Sequence, residues 1–316
     1  MNGEAQRMFR EVQAHFRLPS IGLVEKDLHV VRAIAAVAAI DAAPFTPVFG
    51  GGTALARAHK IVRRMSEDVD FKIVPSATPI SRNALRKQLG ILRDRVTAAL
   101  QSAGFVFDPA DKGALRSRNE NRYTIYQLPY QESGAGDGLR PTIQIELTYA
   151  TLRLPHVVLP ISSFVSEAYG RAPEVPAMPC VSITETAAEK LISLTRRTAM
   201  DLAGLSRDAD PALVRHIYDL HLMRDLINVD EVAKLAHNVA AADAAEFRNQ
   251  YPAYAADIAQ ETQKAITALT SNPIHRNRYE SFITAMVYGE KPAFVEALGT
   301  VQAITKIIAW QGVTSS

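Results

Sequence analysis

The sequence of 316 residues has little cysteine, little net charge and no long hydrophobic run. Its single cysteine, Cys180, excludes an internal disulfide framework and fits a reducing compartment, where we interpret it as a small packing residue. The formal charge of +2 excludes a strong positive field over the whole molecule. Any affinity for nucleic acid must therefore come from local clusters of basic residues.

The most apolar run, residues 33–40, is far shorter than the roughly 20 residues that a bilayer span requires. The first residues also lack the basic and then apolar pattern of a secretory signal. We therefore expect a cytoplasmic protein without membrane contact. Hydrophobic residues make up 47% of the chain, which is enough for a substantial core, and the length predicts two domains or one domain with a large appendage.

The first part of the chain changes between helical and strand-like periods, which predicts two helices followed by a β-α-β-α arrangement. Helices are expected over residues 4–16, 24–42, 53–61 and 81–104. Strands are expected at residues 47–49, 68–71, 123–128 and 142–148. The last two strands are predicted to form a hairpin around a glycine-rich loop at residues 131–141.

Three prolines, Pro173, Pro176 and Pro179, predict a stiff connection, and almost every later pattern is helical. We therefore predict an α/β domain over residues 1–178 and a helical domain over residues 179–316. Helices of the second domain are expected over residues 182–199, 211–228, 230–240, 253–269, 276–288 and 291–310.

Asp68-Val69-Asp70 limits the function more sharply than any other segment. Successive side chains of a strand point to opposite faces, so the two carboxylates are predicted to share one surface, where they can hold a divalent metal. The preceding turn, Gly50-Gly51-Gly52-Thr53, leaves backbone N–H groups for a triphosphate, with Thr53 as a helix cap. Together the two features predict nucleotidyl transfer, in which two Mg²⁺ ions orient an NTP.

Each feature also has an ordinary interpretation, since a glycine run is usually a turn and Asp-x-Asp is usually a solvated strand edge. Their order and short spacing favour the functional interpretation. Glu146 faces away from Ile145 and Leu147 on its predicted strand. It could therefore complete a carboxylate trio with Asp68 and Asp70 if the strands are neighbours, or otherwise face solvent.

Lys190 and Asp219 are charged residues on predicted helices with apolar neighbours, so each needs a counter-charge. One interpretation is a structural ion pair between the two helices. The other places Lys190 on nucleotide phosphate, with Asp219 as its orienter or as a base for the acceptor hydroxyl.

Basic residues concentrate around the predicted site, and some alternate with tyrosines. Such a mixture can hold a phosphodiester backbone and stack a base, or it can simply be solvated surface. Arg57 and Arg64 are close enough in sequence to the glycine turn to contact triphosphate instead. The residues are Arg57, His59, Lys60, Arg63 and Arg64, then Arg116, Arg118 and Arg122 with Tyr123, Tyr126 and Tyr130.

Six segments, taken in order, resemble the AbiEii/AbiGii (MenT-like) family of nucleotidyltransferase toxins, which belongs to the DNA polymerase β-like superfamily. The segments are Glu25-Lys26-Asp27; Gly51-Gly52-Thr53-Ala54-Leu55 with Arg57; Arg64-x-Ser66-x-Asp68-Val69-Asp70-Phe71; Ile143-Gln144-Ile145-Glu146; Ala188-Glu189-Lys190-Leu191; and Arg215-His216-Ile217-Tyr218-Asp219-Leu220.

The resemblance implies a two-lobed α/β (α+β) protein. A polymerase-β-like nucleotidyltransferase lobe with a mixed sheet would precede an all-helical lobe, with the active site between them. The resemblance and the residue patterns above together predict which residues bind the NTP, hold Mg²⁺ or act in catalysis. The NTP-binding set is Gly51, Gly52, Thr53, Arg57, Arg64, Ser66 and Lys190; the metal set is Asp68, Asp70 and Glu146; and the catalytic set is Asp68, Asp70, Lys190 and Asp219.

The resemblance also implies a toxin of a bacterial toxin–antitoxin or phage-defence system. Characterised members of the family transfer nucleotides from NTP to the 3′ end of tRNA, which blocks aminoacylation, and a neighbouring gene usually encodes the antitoxin. Two alternatives remain open. The same chemistry could act on a small molecule or a protein hydroxyl, or the protein could bind nucleotide or antitoxin without catalysis.

Overall fold

The computed structural model describes residues 3–76, 79–130, 139–206 and 210–308. The chain forms two compact units, Met1–Val181 and Ser182–Ser316. Most of the predicted loop at residues 131–141 and the end of the helix predicted over residues 291–310 lie outside the described residues.

The first unit is built on one seven-stranded sheet. Its strands are β1 (Phe45–Gly50), β2 (Asp68–Pro75), β3 (Leu115–Arg118), β4 (Tyr123–Pro129), β5 (Thr142–Tyr149), β6 (Val157–Ile161) and β7 (Val175–Cys180). They lie in the order β3-β4-β5-β2-β1-β7-β6. The sheet is mixed, because β2 runs parallel to β5 and antiparallel to β1. The predicted hairpin is confirmed, since β4 pairs antiparallel with β5.

The helices of this unit are α1 (Gly3–Phe16), α2 (Ile21–Ala38), α3 (Gly51–Arg57), α4 (Arg82–Ser102) and α5 (Phe164–Ala168). Ser81 caps α4 as predicted, because its hydroxyl accepts a hydrogen bond from the Ala84 N–H at 3.3 Å. The apolar stripes of α2 and α4 form one hydrophobic core with the Val69 and Phe71 side of the sheet. One face of the sheet is therefore covered by helices, and the alternate residues point to the other face.

Two local differences from the sequence-based predictions have clear causes. Helix α3 ends at Arg57 rather than Ile61 because the Ala58 and His59 N–H groups both bond to the Ala54 carbonyl, after which Lys60 takes a φ of +56°. The predicted stiff connection is instead strand β7, which contains two prolines. Proline is tolerated there because it lacks only the N–H, and the pairing with β6 has a register shift.

The regular elements of the described part of the second unit are helical. They are α6 (Ile183–Leu202), α7 (Arg215–Met223), α8 (Val229–Glu246), α9 (Pro252–Ala256), α10 (Ile258–Ser271), α11 (Pro273–Met286) and α12 (Phe294–Ile307), with a 3₁₀ turn at Pro211–Val214 before α7. The Ser182 hydroxyl caps α6 at the Glu185 N–H, as its sequence pattern predicts.

The mixed sheet followed by a helical unit confirms the predicted α/β (α+β) class. Cys180 is fully buried at the end of β7, which confirms its interpretation as a packing residue. Of the helices in the described ranges, none combines the length and the apolar character needed to cross a membrane.

Candidate active site

The two aspartates of β2 lie on the sheet face opposite α2 and α4. Asp68 and Asp70 are partly exposed, whereas Val69 and Phe71 are buried in the core. The parallel register places Asp68 beside Gln144 and Asp70 beside Glu146 of β5. The prediction that strand alternation brings both carboxylates to one surface is therefore confirmed.

The glycine turn at the start of α3 packs directly against this face. Gly51 has a φ of +72°, and a Cβ atom there would lie 1.9 Å from Oδ2 of Asp70. A Cβ atom on Gly52 would lie 2.3 Å from Nη2 of Arg64 and 2.9 Å from Oγ of Ser66. Only glycine fits both positions without a shift of these groups. The fold thus gathers Gly51, Gly52, Arg64 and Ser66 at the edge of the carboxylate pair.

Thr53 does not cap α3, which is a correction of the predicted cap. The cap position is Gly50, and Thr53 lies inside the helix, where its hydroxyl donates a short hydrogen bond to the Asp68 carbonyl. This bond ties α3 to the first residue of β2, so Thr53 helps to position the aspartates. A contact between Thr53 and phosphate stays a prediction.

Arg64 and Ser66 lie in the segment that enters β2. Both are buried, and Nη1 of Arg64 donates to the Met65 carbonyl at 3.0 Å. A guanidinium and a hydroxyl next to a glycine turn form a polar surface with donors for an anion. The placement is compatible with the predicted phosphate contacts, which stay predictions.

Glu146 lies on the same face as the aspartates, on the neighbouring strand. Its carboxylate accepts hydrogen bonds from the Tyr123 hydroxyl at 2.9 Å and from the Gln144 side-chain amide. Burial, together with the negative charge of Glu146, raises the pKa of Tyr123, so the hydroxyl stays protonated as a donor. Within the described ranges, His, Cys, Asp and Glu side chains do not form any group of three or more arranged to hold a metal ion. The metal role of Glu146 stays a prediction.

The donor chemistry of Asp68 and Asp70 fits Mg²⁺. The ion prefers hard oxygen ligands, and it usually takes one or two protein carboxylates and completes its shell with substrate phosphate and water. Two carboxylates on one sheet face, beside a turn that leaves no room for a side chain, match that partial set. These two residues are therefore the ones that would hold the ion.

Arg57 is buried at the end of α3, where its guanidinium contacts residues other than those of the carboxylate pair. Its Nε lies 3.4 Å from Oδ1 of Asp27, and the group stacks 3.8 Å above the Phe164 ring. Burial raises the pKa of Asp27 to about 6, against the opposing effects of Arg57 and of the hydrogen bond from the Phe164 N–H. These contacts give Arg57 a structural role, and its predicted phosphate contact stays a prediction.

Lys190 and Asp219 form an ion pair in the second unit, between α6 and α7. The Lys190 ammonium lies 2.8 Å from Oδ2 of Asp219 and 3.5 Å from Nδ1 of His216. Burial, and then the Lys190 charge, lower the pKa of His216 well below its usual value, so the imidazole is neutral. The structure therefore contains the predicted structural pair, and the nucleotide role of Lys190 and the catalytic role of Asp219 stay predictions.

The basic residues and tyrosines separate into different environments. Tyr126 is fully buried, and its hydroxyl donates to the Arg93 carbonyl at 2.8 Å, so it is not a stacking platform. Tyr130 packs against the His29 ring at 5.0 Å. Lys60 forms an ion pair with Glu167. Tyr126 is therefore excluded as a base-stacking residue, and nucleic-acid contact by the other members of the set stays a prediction.

Arg116 and Arg118 are the part of that set that shares the carboxylate face. The register of β3, β4 and β5 puts Arg116 in line with Ile125 and Glu146, and Arg118 in line with Tyr123. Both arginines are exposed. A row of side chains therefore leads across the sheet from the acids to two cations at its edge.

Sequence reasoning gave no role in the site to Arg140, Glu67 or Lys26. Nη2 of Arg140 lies 2.6 Å from Oδ1 of Asp68, and Glu67 accepts from the Arg140 N–H at 2.7 Å. Lys26 is fully buried and donates to Glu67 at 3.0 Å. Glu67 immediately precedes Asp68, which was one available signal. Arg140 could not be identified because it follows a loop whose path the sequence does not specify.

The sequence profile of one protein family matches most of the chain. The family is described as "Nucleotidyl transferase AbiEii toxin, Type IV TA system", and the match covers residues 32–300. Among solved structures, the chain is similar to MenT4, a nucleotidyltransferase toxin from Mycobacterium tuberculosis H37Rv. The TM-score is 0.59 with 18% identity, over 96% of this chain and 90% of that one. At this identity the likeness shows a shared fold. None of the curated proteins compared with the chain gives a significant match.

Proposed function

The chain belongs to the AbiEii family of nucleotidyltransferase toxins of type IV toxin–antitoxin systems, and we propose that it transfers a nucleotide from an NTP to RNA. The proposed acceptor is the 3′ end of tRNA, and the consequence is a block in translation. The reaction would depend on Mg²⁺. Family membership makes the chain a nucleotidyltransferase with an NTP substrate and an antitoxin partner, and a cytoplasmic location stays part of the proposal.

One observation carries this proposal. Asp68 and Asp70 share a partly exposed sheet face, and Gly51 and Gly52 bring the backbone of α3 against Asp70, Arg64 and Ser66. Phosphoryl and nucleotidyl transfer depend mainly on positioning and charge stabilisation around the phosphates. A carboxylate pair next to a turn without side chains supplies both requirements.

Different residues of the chain would bind the metal, position the triphosphate and fix the strand that carries the aspartates. Asp68 and Asp70 would hold Mg²⁺, which when bound stabilises negative charge on the attacking and leaving oxygens. The Gly51-Gly52 backbone, Arg64 and Ser66 would position the triphosphate. Thr53 fixes the start of β2 through the Asp68 carbonyl. For Lys190 on the nucleotide and Asp219 as an essential acid, the support is their match to the family pattern.

The carboxylate face itself supports a polyanionic acceptor. Arg116 and Arg118 lie on β3, the third strand away from β2, on the same face, with Tyr123 between Arg118 and the acids. Neighbouring strands are about 4.8 Å apart, so the cations lie roughly 15 Å from the carboxylates. Successive phosphates of a single strand are spaced more closely than that distance, so an RNA end at the acids would carry its next phosphates toward these arginines.

A transfer assay tests the proposed chemistry. Purified protein is incubated with each labelled NTP, Mg²⁺ and total tRNA, and label on RNA is measured after electrophoresis. We expect label with the unchanged protein and at least a 100-fold loss in Asp70→Asn, since even partners that only support a metal ligand typically contribute 10–100-fold. The exposed variant Asp94→Asn should keep full activity. Absence of labelled RNA with any NTP, from protein that is folded, would contradict the proposal.

The salt dependence of tRNA binding tests the acceptor surface. Each phosphate contact contributes roughly −0.7 to −0.9 to the slope of log K against log salt concentration. Arg116→Gln/Arg118→Gln should therefore make the slope shallower by roughly 1.4 to 1.8, with NTP binding unchanged. The control is Arg10→Gln/Lys87→Gln, which removes two exposed cations of α1 and α4. An equal change in both double variants would remove the assigned surface and leave the chemistry untouched.

A small-molecule or protein acceptor is distinguished by the same two assays. Transfer of label to either of those acceptors, with no label on RNA and no steep salt dependence, would replace RNA as the acceptor. The Asp68 and Asp70 assignment would then still stand, because the transfer chemistry is common to both cases.

A further inference from the structure

The guanidinium of Arg140 forms an ion pair with Asp68, one of the two carboxylates that the proposed function assigns to Mg²⁺. Nη2 of Arg140 lies 2.6 Å from Oδ1 of Asp68, and Nε lies 3.5 Å from Oε2 of Glu67. A carboxylate that accepts an arginine at this distance is not fully available to a cation, because both positive charges compete for the same oxygen.

Buried groups hold the backbone of Arg140 in place. Its N–H donates to Oε1 of Glu67 at 2.7 Å, and its carbonyl accepts a short hydrogen bond from the Lys26 ammonium. Lys26 also donates to Glu67 at 3.0 Å and to the Thr142 carbonyl at 2.9 Å, which uses all three of its N–H groups. The position of Arg140 beside Asp68 is therefore anchored and does not depend on a freely moving surface side chain.

The side chain of Arg140 is nevertheless able to change partner. It is 42% exposed, and that of Asp68 is 22% exposed. Ion pairs with this degree of exposure contribute about 1 kcal/mol or less, because water screens them. An NTP brings several negative charges and offers the guanidinium another partner.

We propose that Arg140 is a positioning residue that competes with the divalent cation for Asp68, so that the cation binds well only together with the NTP. The inference rests on the proposed function, because it takes Asp68 as a cation ligand. The inference also assigns a role to the Glu25-Lys26-Asp27 segment. Lys26 donates a hydrogen bond to the Arg140 carbonyl, and Asp27 pairs with Arg57 and accepts from the Phe164 N–H.

The proposal predicts that NTP and the cation increase each other's affinity, because binding couplings are reciprocal. If NTP frees Asp68 from Arg140, then NTP increases cation affinity and the cation increases NTP affinity by the same factor. Removal of the Arg140 side chain should reduce that factor, because Asp68 is then accessible before NTP arrives. The backbone hydrogen bonds of residue 140 remain in such a variant, so the fold should be unaffected.

The test measures Mn²⁺ binding, with Mn²⁺ in place of Mg²⁺, by loss of the free-ion signal in electron paramagnetic resonance. Binding is measured with and without a non-hydrolysable NTP analogue. We expect Arg140→Gln to bind Mn²⁺ roughly two- to fivefold tighter than the unchanged protein without the analogue, the range that a half-exposed ion pair supports. Arg140→Lys, which keeps the charge, should lie between the two.

Two controls separate the possible results. Arg116→Gln removes a cation from the same sheet face without contact to Asp68, and it should change Mn²⁺ affinity less than Arg140→Gln does. Asp68→Asn should weaken Mn²⁺ binding strongly. One result would overturn the role of Arg140 and leave the carboxylate site standing. In that result Mn²⁺ binds in the presence of the analogue, but without the analogue Arg140→Gln binds Mn²⁺ no more tightly than Arg116→Gln does. If no variant binds Mn²⁺ even with the analogue, the carboxylate site and the role of Arg140 are both overturned.

Discussion

The two units hold an aspartate in opposite ways. In the first unit, Asp68 lies 22% exposed on a sheet face and pairs with an arginine side chain that is 42% exposed. In the second unit, Asp219 is fully buried and pairs with Lys190, which is 8% exposed. An ion pair screened by water can exchange partners at a small cost in free energy. A buried ion pair cannot lose one member without leaving an unpaired charge in the protein interior. The first arrangement suits a ligand site, and the second suits the joining of two helices.

Removal of Lys190 should give the largest loss of stability. Lys190→Met leaves the Asp219 carboxylate buried without its counter-ion, which typically costs about 3–5 kcal/mol. Denaturant unfolding measures the free energy of unfolding of this variant. The matched control is Lys87→Met, the same change at an exposed lysine of α4, which should stay within about 0.5 kcal/mol of the unchanged protein.

A double variant sharpens this result. Lys190→Met/Asp219→Leu removes both charges and should recover most of the loss, because the desolvated carboxylate is gone as well. If Lys190→Met alone is as stable as Lys87→Met, the pair is not the stabilising contact that its burial indicates.

The next effect in size is expected at Asp27, which is buried in the first unit and should make stability depend on pH. Its folded pKa of about 6 lies above the usual value of 3.8, so the folded state binds the extra proton between these two values. Stability therefore falls as pH rises from 4 to 6, by about 3 kcal/mol at about 1.4 kcal/mol per pKa unit. The contribution is present in full below pH 4 and absent above pH 6.

The measurement compares the free energy of unfolding of the unchanged protein and Asp27→Asn from pH 4 to pH 7. The difference between them should change by about 3 kcal/mol in favour of Asp27→Asn as pH rises. The control Asp94→Asn, at an exposed acid, should show a constant difference. A flat difference for Asp27→Asn would mean that Asp27 is ionised throughout.

The smallest effect on stability is expected at Asp68. Asp68→Asn breaks only a screened pair with Arg140, so the free energy of unfolding should change by about 1 kcal/mol or less. The same variant should lose nucleotide transfer. A loss of several kcal/mol on thermal or denaturant unfolding would show that Asp68 serves the fold, and the contrast with the buried Lys190–Asp219 pair would disappear.

The sequence was sufficient to predict features that depend on residues close together along the chain, such as strand alternation and helix caps. The period of two in β2 and β5 predicted which residues share a face with Asp68 and Asp70, and the confirmed register agrees. The caps of α4 and α6 were predicted because Ser81 and Ser182 bond to N–H groups within the same turn. These features depend on neighbours in sequence, which the sequence states directly.

The sequence was insufficient where the partner is remote along the chain. Lys26 meets Arg140, and Arg57 meets Asp27 and Phe164, through contacts that only the folded sheet brings together. Strand β7 was missed because prolines are typical of linkers. They also occur in strands whose pairing is irregular, and the pairing of β7 with β6 has a register shift. Tyr126 matched a surface pattern, yet it is buried because alternation in β4 points it at α4.

The most direct test of the central claim is the position of the cation. Crystals grown with Mn²⁺ and a non-hydrolysable NTP analogue allow the metal to be located by its anomalous scattering. The account predicts a peak within about 2.3 Å of carboxylate oxygens of both Asp68 and Asp70, with the triphosphate against Gly51 and Gly52. A bound analogue whose metal lies away from both aspartates would contradict it.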